Sequence, residues 1–153
     1  MHYLIDGYNL IGKINIICFS DINKEQKLID FISHNVSNIK DRFTLVFDGK
    51  NIYEPFGTKT KAGKFTSIFT PNDQSADDYI LDYIKNKKNL SGLTIISSDR
   101  EITTYAKYKR ALYCKSEDFI KKLLLNKPNQ EKTIKHIEND NIDYWLNKFK
   151  NKK

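Results

Sequence analysis

The sequence predicts an α/β domain built on a parallel sheet, and three observations carry that prediction. Short apolar runs alternate along the chain with stretches of helical periodicity. The runs are apolar throughout rather than every second residue, as strands covered on both faces are. Three of them, "YLID", "LVFD" and "IISSD", stop at an aspartate.

The elements follow in order. Tyr3–Asp6 is the first strand. Leu28, Ile32, Val36 and Ile39 recur at helical spacing beside Phe31, which predicts a helix between Asn23 and Lys40. Phe43–Phe47 is a β-rich run that ends at Asp48-Gly49. The polar stretch "KNIYEPFGTKTKAGKF", with Pro55, Gly57 and Gly63, reads as a long loop. "FTSIFT" is a short strand closed by Pro71. Ser75 is a good N-cap for a helix in which Ile80 and Ile84 share a face. "LTIISSD" is an apolar strand, "REITTYAKYK" a helix, "ALYC" a short strand and "SEDFIKKLLL" a helix capped by Ser116. The 153 residues suit one domain, 1–125, followed by a linker around Pro128 and a C-terminal helical appendage within 126–153 that carries Ile142, Trp145, Leu146 and Phe149.

The carboxyl ends of parallel strands lie along one sheet edge, and ligands bind just beyond them. Asp6, Asp48 and Asp99 are sent there by their strands, and Asp77 and Asp78 by the first turn of a helix that follows a strand. So many carboxylates without a counter-charge raise one another's pKa. A hard divalent cation, Mg²⁺ or Mn²⁺, resolves the conflict, because it takes oxygen ligands and keeps several waters. Each acid also has a plain structural reading. Asp48-Gly49 suits a tight turn. Ser75-Ala76-Asp77-Asp78 has capping-box spacing, and Ser98-Asp99-Arg100-Glu101 has it too. Asn9 is open to two readings: a ligand for water or a phosphate oxygen, or an N-cap for a turn starting at Leu10.

Composition narrows the chemistry. The net charge of +7 favours polyanions, nucleic acid foremost, although surface lysine accumulates without a binding role as well. No apolar run approaches the ~20 residues of a membrane span. No signal-peptide pattern opens the chain, so a cytoplasmic location is expected. Cys18 and Cys114 form no metal pattern and are expected to be reduced thiols. The three histidines, His2, His34 and His136, stand where neither a zinc site nor a general base is indicated. Carboxylates, a hard cation and basic surroundings suit phosphodiester hydrolysis better than acyl-transfer chemistry.

"LIDGYNLIG", "LVFDG", "FTPNDQSADDYI" and "IISSDREI" occur in an order and spacing that resembles the NYN-domain family, specifically the YacP-type bacterial endonucleases, relatives of PIN domains. The resemblance covers roughly Met1 to Leu125. It implies a three-layer α/β/α sandwich with a central, mainly parallel sheet, Mg²⁺ or Mn²⁺ dependence, and RNA cleavage that leaves 5′-phosphate and 3′-hydroxyl ends. mRNA as substrate and the ribosome as partner are implied by the same family. Carried over by position, Asp6, Asp77 and Asp99 hold the metal, directly or through water, with Asn9 beside the first. Asp48 and Asp78 are outer ligands or orient water. Asp78 stands where relatives often have Glu, and the segment after "DGYN" looks short against the family.

For holding RNA, Lys50, Lys59, Lys61 and Lys64 decorate the polar loop with Tyr53 and Phe56 among them, and Arg100 stands next to Asp99. The alternative is a solvated lysine loop with its aromatics tucked onto the domain. A monomer or a homodimer is expected. Two other functions stay open: an RNA-binding module on a PIN-like fold that does not catalyse, and a toxin-type PIN ribonuclease.

Overall fold

The computed structural model describes residues 1–36, 40–49 and 53–125. They fall into two compact units, one drawn from 1–10 and 40–116, the other from 11–36 and 117–125. The appendage expected within 126–153, and Ile39 of the predicted helix, lie outside the described residues.

The first unit holds the sheet: β1 (His2–Asp6), β2 (Arg42–Phe47), β3 (Thr58–Ala62), β4 (Phe65–Phe69), β5 (Leu93–Ile96) and β6 (Leu112–Cys114), in the order β3-β4-β2-β1-β5-β6. Every pairing is parallel except β3 with β4. The α/β class and the mainly parallel sheet are therefore as the apolar runs indicated. The long loop expected before "FTSIFT" is corrected, because its second half is β3. That strand is an edge, TKTKA, with no apolar residue larger than alanine. It has no core face and hence no periodicity to read. Gly57 and Gly63, at φ +80° and +61°, bound it where other residues would be strained.

From β1 the chain works outward through β2 to β4 on one side, then crosses back to place β5 on the other side of β1. The sheet thus reverses its winding direction at β1, and the carboxyl end of β1 is the position where such sheets open a crevice.

Helices α3 (Ala76–Asn86) and α4 (Arg100–Tyr108) pack on this sheet. Ile80, Ile84 and Ile102 join Leu4, Val46 and Ile95 in one buried cluster. Each such side chain contributes about 1.5–3 kcal/mol. That outweighs helix propensity in fixing where the helices lie. On the opposite side of the pleat, aromatic rings stack across neighbouring strands, Tyr3 on Phe43 and Phe43 on Phe65, each at 5.2 Å. These are partners in the strand register.

Helix α1 (Gly7–Ile11) starts with no loop after β1. A Cβ at Gly7 would collide with the ring of Phe47. Phe47 is fully buried and stacked on Phe69, so the ring has little room to yield. Gly7→Ala is expected to cost about 1–3 kcal/mol of stability through overpacking, read as a lower urea midpoint at unchanged slope. An unchanged midpoint would show that the ring moves aside.

The second unit contains α2 (Lys24–Asn35), shorter than the helix expected from Asn23 towards Lys40, and most of α5 (Ser116–Leu125). Ile14, Ile17, Leu28, Ile32, Phe119 and Leu123 among its residues are buried. Before α2, Asp21 accepts from the backbone of Cys18 and from Lys27. Both cysteines are free thiols, and Cys18 is exposed rather than packed.

Candidate active site

Asp6 ends β1 and is 5 % exposed, a position where an unpaired charge is costly. Two neighbours hold its carboxylate: the hydroxyl of Ser97, fully buried, donates to Oδ2 at 3.2 Å, and the backbone N–H of Asn9 donates as well. The third neighbour is Asp77, whose carboxyl hydrogen-bonds that of Asp6. Burial first and the charge of Asp77 second push the pKa of Asp6 up to about 7. Asp77 is raised too, by burial and then by Asp99, with Asp48 and Asp78 adding to the effect. These five acids therefore sense one another around Asp77.

The flanking acids arrive by a different route from the one expected. β5 ends at Ile96, so Asp99 lies three residues beyond the strand. It is the N-cap of α4: Oδ1 accepts from the N–H groups of Glu101 and Ile102 at 2.8 and 3.3 Å. The capping box expected from Ser98 is thus corrected, because Asp99 itself is the cap. Asp48 follows β2, and its Oδ1 accepts from the N–H of Ala76 at 2.6 Å, at the start of α3. Its glycine serves close approach rather than a simple turn, since a Cβ at Gly49 would strike the carbonyl oxygen of Thr70. Thr70 ties the same junction, accepting from Gly49 N–H and donating to the carbonyl of Gln74. Ser75 caps α3 as expected, its hydroxyl accepting from the N–H of Asp78 at 3.1 Å.

Asn9 sits inside α1 rather than capping a turn at Leu10. Its Oδ1 accepts from the N–H of Ser98 at 3.0 Å and from the hydroxyl of Ser116 at 2.7 Å. Ser116 N–H in turn donates to the Ser98 hydroxyl. Ser97 joins two acids directly, donating to Asp6 and accepting from the N–H of Asp99 at 3.1 Å. Sequence reasoning missed Ser97, Ser98 and the side-chain role of Ser116. The available signal was a pair of small hydroxyls set between an apolar strand and an acid.

The residues expected to hold RNA are spread along one edge strand. β3 runs antiparallel to β4, with Thr58 opposite Phe69 and Ala62 opposite Phe65. Lys59 therefore lies towards the acidic edge of the sheet, while Lys61 and Lys64 lie towards the other. Tyr53 and Phe56 precede β3 and are 86 % and 91 % exposed, not tucked onto the domain. β3 stands three strand spacings from β1, roughly 14 Å. Arg100 is exposed as the first residue of α4, and Lys50 lies outside the described residues.

The donor set suits a hard divalent cation. Asp6 and Asp77 press together at the cost of a raised pKa, and a cation between them removes that cost. Among the described residues no group of three His, Cys, Asp or Glu side chains forms a complete cage. Asp48 and Asp99 each commit Oδ1 to the start of a helix and keep Oδ2. Mg²⁺ commonly takes one or two carboxylates and fills its remaining positions with water.

The family model described as the YacP-like NYN domain matches residues 3–153. The chain belongs to the YacP-like NYN domain family. Membership brings a nuclease-like function directed at RNA. The match runs through the C-terminal segment as well as the nuclease-like part. The crystal structure of Rae1 (YacP) from Bacillus subtilis is similar at a TM-score of 0.62 and 21% identity, over 90% of this chain and 81% of that one. A mutant of the same Bacillus subtilis protein is similar at 0.65 and 19%, over 97% and 92%. At these identities the likeness concerns the fold. No curated protein matches the chain. No helix among the described residues is long and apolar enough to cross a membrane.

Proposed function

We propose that the chain is a metal-dependent endoribonuclease that hydrolyses RNA phosphodiester bonds and leaves 5′-phosphate and 3′-hydroxyl ends. The observation that carries this reading is the buried Asp6 carboxyl hydrogen-bonded to Asp77 at the carboxyl edge of β1. Asp6 and Asp77 would hold Mg²⁺ or Mn²⁺ directly, and Asp99 and Asp48 would reach it through water. When bound, the cation supplies an acidified water and offsets charge on the scissile phosphate.

The chain's own residues do the rest. Ser97 keeps Asp6 turned into the site while its oxygen holds the backbone of Asp99. Ser75 and Asp48 fix the first turn of α3, and with it Asp77. Asp6 must give up the proton it shares with Asp77 before both can act as ligands, so activity should rise with pH through the neutral range. Lys59, Arg100 and Tyr53 are proposed to hold the strand. The family resemblance supports mRNA as the substrate and the ribosome as a partner.

The test is cleavage of total RNA by the full chain with Mg²⁺, followed by mapping of the new ends. Cuts that vanish in EDTA and carry 5′-phosphates are expected. Cleavage that persists in EDTA, or 5′-hydroxyl ends, would overturn the reading. The absence of a complete three-ligand cage among the described residues favours a second reading, an RNA-binding module without catalysis. In that case RNA binds and remains intact in both buffers.

A further inference from the structure

Helices α3 and α4 both begin at the acids and run away from them side by side. Asp77 is in the first turn of one and Asp99 caps the other. Between them lies a groove of about 770 Å³. Arg100 and Glu101 line its near end, Leu81 and Asp82 its wall, and Tyr105 and Tyr108 its far end. From Arg100 to Tyr108 the helix rises about 12 Å, room for a short length of strand rather than a single phosphate.

Three features identify the occupant. Tyr108 is 76 % exposed on a helix whose core face is supplied by Ile102 and Ala106, so packing does not explain it. Its ring lies 6.1 Å from that of Tyr105 and is tilted 31° to it, and Lys109 sits 6.0 Å from both, a pair of adjacent aromatic faces bordered by a cation. Cations also gather where the two helices finish: Lys85, Lys87 and Lys88 on one, Lys107, Lys109 and Arg110 on the other. His2 opens β1 at the sheet edge opposite the acids, and its pKa is lowered by burial first, then by Arg42 and Lys87, so Lys87 lies near that edge. Asp82 and Glu101 inside the groove repel phosphates and accept from base amino groups. A strand lying here therefore turns its bases inward and its phosphates to the basic rim.

We propose that the groove between α3 and α4 seats the single-stranded RNA next to the cleaved bond, with bases on Tyr105 and Tyr108 and phosphates on the lysines at the helix ends. The proposal rests on the nuclease reading above, and its experiment separates the two. The full chain carrying Asp6→Asn is titrated into a fluorescently labelled oligoadenylate with Mg²⁺ present, and binding is read by anisotropy. Adding Tyr108→Ala should weaken binding about tenfold, the scale of one lost base stack, and Tyr108→Phe should restore it, because the ring and not the hydroxyl does the stacking. Lys85→Glu with Lys109→Glu should make the salt dependence shallower. If Tyr108→Ala binds as tightly as the chain with Tyr108, or if no oligoadenylate binds at all, the groove assignment falls. If the unmutated chain cuts no RNA while Tyr108→Ala still weakens binding, the nuclease reading falls and the groove stands.

Discussion

Asp77→Asn is expected to lower RNA cleavage in Mg²⁺ by at least about 100-fold, the scale on which a single preorganised electrostatic group acts, while the protein stays folded. Asp77 is one of the two carboxylates proposed to touch the cation directly. Its neutral replacement leaves a weaker ligand and removes the charge that offsets the metal. The fold should not suffer. Asp77 sits in the first turn of α3, whose start is held by Ser75 and Asp48 rather than by Asp77. Its pKa is raised, which means the native state resists its ionisation. An amide relieves that repulsion, so the melting temperature should hold or rise. Parent-like cleavage by Asp77→Asn would remove the acids from the mechanism.

In EDTA, stability should fall as pH rises from about 4 to about 7, and Asp6 should be the main cause. The sign follows from proton binding. Asp6 titrates near 3.8 in the unfolded chain and about 7 in the folded one. Between those values the native state holds the proton more tightly than the unfolded state, so raising the pH favours unfolding. Above pH 7 the full penalty is present, on the order of 4 kcal/mol for a shift of that size. Asp6→Asn carries no such proton. Its stability should be flatter over the same range and should exceed the parent's at pH 8 in EDTA. Added Mn²⁺ should raise the melting temperature of the parent and not that of the variant, because a ligand that binds only the native state stabilises it. Parallel pH profiles for the two proteins would show that Asp6 is solvated and not coupled to Asp77.

Much of this was legible in the residues. Leu4, Val46 and Ile95 lie in unbroken apolar runs, and such runs have one good solution, a strand covered on both faces. The aspartates near their ends then had to share an edge. β3 was hidden because an edge strand with no buried face needs no pattern. The serines were hidden for another reason. Ser97 works by joining two acids that are far apart in sequence, and nothing local distinguishes it from a loop serine. Asp99 was placed correctly and for the wrong cause. The strand stops earlier, and a helix cap carries the acid to the same edge.

The bond between Ser116 and Asn9 spans 107 positions of the chain, and that between Ser97 and Asp6 spans 91. Contacts of such separation carry a loop-closure cost that slows folding. During biosynthesis Asp6 precedes Ser97, whose hydroxyl holds it, by 91 positions. A nascent polypeptide is therefore expected to lack the joined acid edge until residue 116 has emerged.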